Sequence, residues 1–158
     1  MRMQPKNPIR WVFIAGGLFC LSACHMTLLA DYDDVFDQEA TTAQKDVDAL
    51  YQKIIDNPNA QHPDITAETY AADRESYTKI RAELDGLKVR AQAHDHNENT
   101  VKSVNAIAHS FSVVEDEHKR NPELHIEAAK NELDMLNQQF TGLIREELLK
   151  KQGGGEAK

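Results

Sequence analysis

Apolar residues recur at alternating spacings of three and four along most of this chain, and beyond residue 31 every proline falls in a gap between those repeats. A three-four period keeps one stripe along a helix. Proline lacks the N–H that a helix interior needs and clashes with the preceding turn. Pro58, Pro63 and Pro122 therefore divide the chain into helical segments, and no strand-type alternation of useful length competes with them.

The first segment, about 33–57, carries the seam Phe36, Ala40, Ala43, Val47, Leu50 and Ile54. The stretch Pro58 to Pro63 reads as a loop, after which Asp64 or Thr66 can cap the next helix by accepting backbone N–H bonds. The second segment, about 65–95, runs through Tyr70, Asp73, Tyr77, Ile80, Leu84, Leu87, Ala91 and His94, with Asp73 weakening its start. The third, about 99–119, opens at the cap candidate Asn99 and uses Val101, Val104, Ala108 and Phe111. Ile107 and Val114 widen that stripe, which suits a helix packed between neighbours. Asn121-Pro122-Glu123 reads as the start of the fourth, about 122–151, with Asn as cap, Pro in the first turn and Glu favoured by the helix dipole. Its seam is Ile126, Ala129, Leu133, Leu136, Phe140 and Leu143, with Leu148 beyond. Lys150 and Lys151 suit a helix C-terminus, and residues 152–158 read as a flexible tail.

Helices with one apolar stripe cannot hide it alone. The expected fold is all-α, an antiparallel four-helix bundle over 32–151. Short connections bring the start of the first helix, the turn after the second and the C-terminus to one end, with the other end about 40 Å away. Such seams also close between chains, so a homo-oligomer is an alternative, and Ala40, Ala43, Ala91 and Ala129 permit close helix approach.

The N-terminus has a different character. Arg2, Lys6 and Arg10 precede an apolar run, Trp11 to Leu21, and small residues follow. That layout is a secretory signal peptide. The run of 11 residues contains Gly16 and Gly17 and falls short of the roughly 20 a membrane span takes. Ordinary secretory cleavage would also use Ser22 and Ala23, so the cysteine arbitrates. Leu21-Ser22-Ala23-Cys24 resembles the lipobox of bacterial membrane lipoproteins, a context that Cys20 lacks. The resemblance implies that residues 1–23 are a cleaved lipoprotein signal peptide and that Cys24 is the lipidated N-terminus, carrying diacylglycerol and an amide-linked chain such as palmitate. It also implies a lipid-anchored tether over 24–31, and His25 in place of Asp after the cysteine implies the periplasmic side of a Gram-negative outer membrane. Two or more acyl chains hold a protein stably, so the membrane is engaged through the anchor, and no cofactor beyond that lipid is expected.

Cleavage would also change the charge and the cysteine count. Losing Arg2, Lys6 and Arg10 makes the net charge of −8 more negative by three, which opposes nucleic-acid binding. Cys24 becomes the lone cysteine, so no disulfide forms within one chain. The remaining length is enough for one modest core.

Catalytic signatures are missing. The chain has no Gly-x-Ser-x-Gly elbow and no glycine-rich phosphate loop, and Ser76, Ser103, Ser110 and Ser112 fall inside helical segments. No catalytic residue is assigned and no enzyme is expected. Glu115 and His118 form one Glu-x-x-His pair on a single helical face, a motif that ferritin-like di-iron bundles use twice. With His125 and His62, which fall toward the same end, they are the candidates for a zinc or copper site. The plainer reading, and the one adopted, has His118 filling the last seam position while His62 and His125 face solvent. His94-Asp95-His96 reads as a polar helix terminus, and Tyr70 and Tyr77 as core.

The chain looks like a small helical bacterial lipoprotein. The function expected is non-enzymatic, acting through a protein partner or as a structural element of the cell envelope. One alternative is a periplasmic metal-binding or metal-responsive bundle using Glu115, His118, His125 and His62; another is an exclusion or immunity lipoprotein that blocks an incoming partner.

Overall fold

The computed structural model describes residues 31–56, 70–121 and 124–154. They form four helices: α1 (Asp34–Ile55), α2 (Tyr70–Gln92), α3 (Glu98–Arg120) and α4 (Ile126–Gly154). Residues 1–30, with the signal, Cys24 and most of the tether, lie outside the described residues, as do 57–69 with His62 and the cap candidates Asp64 and Thr66, Pro122-Glu123, and 155–158.

Local chemistry sets the helix ends, and several differ from the sequence reading. Asp33 starts α1 by accepting hydrogen bonds from the N–H groups of Val35 and Phe36 at 3.0 and 3.2 Å. α3 begins at Glu98, so Asn97 holds the cap position expected of Asn99. Its side chain does not cap; it donates to the Ala91 carbonyl at 2.9 Å and ties the turn to the end of α2. The same turn contains His96 at φ 59°, a left-handed conformation uncommon outside glycine and asparagine. Asn121 ends α3 instead of starting α4: its N–H bonds to the Glu117 carbonyl at 2.8 Å. α4 starts four residues later than expected, at Ile126, and continues through Gln152 to Gly154, where a loose tail was expected. Buried bonds made by Lys150 in that last stretch offset the modest helix penalty of the glycines.

Each helix packs on two neighbours: α1 on α2 and α4, and α3 on α2 and α4, with no close backbone approach across either diagonal among the described residues. Rising positions in one helix meet falling positions in the next, as in Gln44 with Asn137 and Tyr51 with Glu132. The architecture is an antiparallel four-helix bundle, without strands among the described residues.

The seams meet in one core. All six expected α1 positions are buried, joined by Tyr51, and Tyr77, Ile80, Leu84, Phe111, Leu136 and Phe140 fill the centre. Burying an aliphatic or aromatic side chain of this size stabilises by about 1.5–3 kcal/mol. Three expected seam positions are not core: His94, Leu148, and Ile126, which is half-buried at the start of α4 and outside the main cluster. His94 is exposed because α2 has already ended, and Leu148 is 43% exposed because the four-three step from Leu143 lands on Glu147 and Lys150 instead. Among the described residues no helix is long and apolar enough to cross a membrane.

Candidate functional site

Polar clusters close the apolar core at both ends, and the entering chain makes one of them the better candidate. At the end where residue 31 joins α1, Asp33 is a hub. Arg90 of α2 donates to it from Nε at 2.5 Å and from a terminal nitrogen at 2.9 Å, and His94 Nε2 lies 3.0 Å from the same carboxylate. The Arg90 hydrogen bonds, aided by the two helix N–H groups, hold the Asp33 carboxyl down at about 2 against the opposing effect of burial. One step back along the chain, Tyr32 donates to Asp37 at 3.1 Å and lies under the Lys151 ammonium of α4, 5.0 Å from the ring centre.

Beneath this hub lies a buried network from α3 and α4. Lys150 donates to Glu147 at 2.5 Å, to Asn97 at 2.6 Å and to Thr100 at 2.7 Å. Thr100 shares its hydroxyl proton between Glu146 and Glu147 at 2.9 and 3.3 Å, and Ser103 donates to Glu146 at 3.3 Å. Asn97, Thr100, Glu147 and Lys150 are all buried. The turn after α2, the start of α3 and the end of α4 are thereby tied together at the level where the chain enters.

The opposite end holds the sequence-flagged pair, Glu115 and His118. Both are buried. Glu115 accepts from Tyr70 at 2.9 Å, and its carboxylate also lies 3.1 Å from Lys119 and 3.4 Å from Arg81. His118 Nδ1 sits 2.7 Å from the Tyr77 hydroxyl, with the rings edge-on at 5.7 Å. Burial raises the Tyr77 hydroxyl well above its ordinary value, so it stays neutral; burial and the bond to Glu115 raise Tyr70 as well. Asp73, the polar position in the second seam, is buried and paired with Lys53 at 2.8 Å.

Glu115 and His118 share a helix face, as their spacing requires, but they bond to different tyrosines. His125 is exposed, and His62 lies outside the described residues. No group of three His, Cys, Asp or Glu able to hold a metal forms among the described residues. Two cationic side chains within 4 Å of Glu115 also repel a further cation there. The sequence does not single out Asp33, Arg90 or Glu147 as polar partners, and Lys150, read only as a cation suited to a helix C-terminus, is instead the buried partner of Glu147. Glu147 and Lys150 were accessible, because they continue the α4 spacing with charges where apolar residues had been.

No family model matches the chain, and neither a curated protein nor a solved structure matches it.

Proposed function

We propose that this chain is a non-enzymatic, lipid-anchored helical protein of the periplasmic side of the outer membrane, held by Cys24 and acting through its outward surface on a protein partner. The observation that carries this reading is the fastening of the bundle at the point where residue 31 enters. Asp33 binds α1, α2 and the following turn in one carboxylate, and the Lys150 network lies at the same end of the bundle. A short tether transmits position only to a body whose first turn is fixed, and Asp33 fixes it. Among the described residues the buried ionisable groups at both ends, Glu115 and the pair Glu147 and Lys150, are bonded to side chains of neighbouring helices, which fits a structural or binding role.

The outward half offers side chains for contact. Val113 of α3 and Met135 of α4 are 51% and 37% exposed, on adjacent helices at nearly the same level, as the Ser110 to Gln139 bond between those helices indicates. A photoreactive amino acid placed at Val113 or Met135 in the full chain, activated in intact cells, should give a discrete adduct with an envelope protein. The same probe at Val89, near the anchor, should capture that partner weakly or not at all. Absence of any adduct from the outward positions, with the protein present at normal level, would contradict the partner reading.

A further inference from the structure

The α1–α2 seam holds a charge imbalance that its neighbours do not correct. Lys79 of α2 donates to Asp46 of α1 at 2.9 Å and lies 3.7 Å from Glu83, one turn further along α2. One ammonium therefore serves two carboxyl groups. The remaining oxygen of each, Asp46 Oδ2 and Glu83 Oε2, is shielded from solvent and has no other hydrogen-bond partner among the described residues. Both carboxyl groups are thus gathered around the one Lys79 ammonium, each with an oxygen left over. Two carboxylate oxygens have no hydrogen to share, and leaving both charged, shielded and without a donor costs free energy, even though the side chains as wholes remain 26% and 23% exposed.

We propose that Asp46 and Glu83 form a proton-binding site in which one proton is shared between Asp46 Oδ2 and Glu83 Oε2, closing a clasp between α1 and α2. Glu83 carries the proton and donates it to Asp46. The pair then bears one negative charge, Lys79 balances it, and both sealed oxygens are satisfied. Loss of the proton returns two like charges to the seam and loosens it. Burial, then the contact with Asp46, raises the Glu83 carboxyl above its ordinary value, while Lys79 pulls it back in part.

Other charges do not take over this role. Lys53 of α1, which lines the same groove, is 2.8 Å from Asp73. On the seam with α3, Glu115 lies against Tyr70, Arg81 and Lys119, and His118 against Tyr77. On the seam with α4, Glu132 accepts from Tyr51 and Asp48 accepts from Asn137. The shared proton is a property of the bundle itself, independent of how the chain is anchored.

Carboxyl carbon shifts of the full chain in detergent micelles, followed by NMR through an acid titration, test this directly. The Glu83 carboxyl should titrate above its ordinary range, with a curve that departs from single-site shape, the sign of coupling to its neighbour. Asp46→Asn should lower the Glu83 midpoint, because it removes the facing negative charge and supplies a donor. Glu83→Gln should abolish the raised step and reduce, beyond the share Glu132 contributes, the rise in urea midpoint that wild type shows on acidification. Single-site titration of Glu83 in the ordinary range would overturn the proposal, and so would a Glu83 midpoint unmoved by Asp46→Asn. The wild-type titration decides the matter even where a variant fails to fold.

Discussion

Arg90 donates two hydrogen bonds to Asp33, which stands 57 residues earlier in the chain and already caps α1 through two backbone N–H groups. A paired charge at a helix N-terminus adds favourable dipole interaction to the cap. The pair fixes the first turn of α1 against the last turn of α2. Asp33 is 9% exposed while the Arg90 side chain keeps 35% of its surface in solvent, so the pair is partly screened and sits between a surface and a buried ion pair.

Asp33→Ala should destabilise the bundle by about 1–3 kcal/mol, the range for losing a cap together with a charge-assisted bond. Arg90→Gln should cost less, since the cap survives. A double-mutant cycle by urea unfolding should return a coupling of about 0.5–3 kcal/mol, as expected for residues in direct contact. A coupling of zero would mean that the contact does not hold the junction.

Two carboxyl groups pull the pH dependence in opposite directions. Asp33, held down at about 2 chiefly by the Arg90 hydrogen bond, takes up protons less readily folded than unfolded. Its contribution is present above the unfolded value near 4 and lost as pH falls toward 2. Glu132 is raised, first by burial, partly offset by the Tyr51 hydroxyl and reinforced by Glu117. Its contribution is present below the unfolded value of about 4.3 and lost as pH rises through the raised folded value. Urea midpoints should therefore peak on the acid side of neutrality and fall on both flanks. Asp33→Asn should soften the acid flank, and Glu132→Gln the other; a midpoint highest at about pH 8 would contradict the Glu132 assignment, and an acid flank unchanged in Asp33→Asn would contradict that of Asp33.

Lys150 and Glu147 form a buried pair, with side chains 4% and 2% exposed. Lys150→Met strands the Glu147 charge and should cost about 3–5 kcal/mol. Adding Glu147→Gln removes the stranded charge and should recover part of that loss. Thermal unfolding of the three proteins checks this, and a double variant no better than Lys150→Met would show that the charge is not what the lysine satisfies.

The bundle was legible because its signal is repetitive: six successive α1 positions at three-four spacing are all buried, and a periodic stripe tolerates errors at its ends. The ends were less legible. Asn121 carries a capping residue's chemistry, which serves the end of α3 and the start of α4 equally well in sequence, and only the Glu117 bond decides between them. Leu148 was read as core because a leucine beside a seam attracts the register, whereas the true register passes through charged residues that neutralise each other. The pairing of Glu115 with Tyr70 and of His118 with Tyr77 depends on how α2 meets α3, which no spacing within α3 encodes. Asp33 and Arg90 are distant in sequence, and neither belongs to an apolar repeat.

The anchor is the central claim, and intact-mass measurement of the protein purified from the membrane fraction tests it most directly. The expected mass is that of a chain beginning at Cys24 with diacylglycerol and a third acyl chain attached, and Cys24→Ser should leave the unprocessed precursor. An unmodified chain beginning at Met1 in wild type would contradict it.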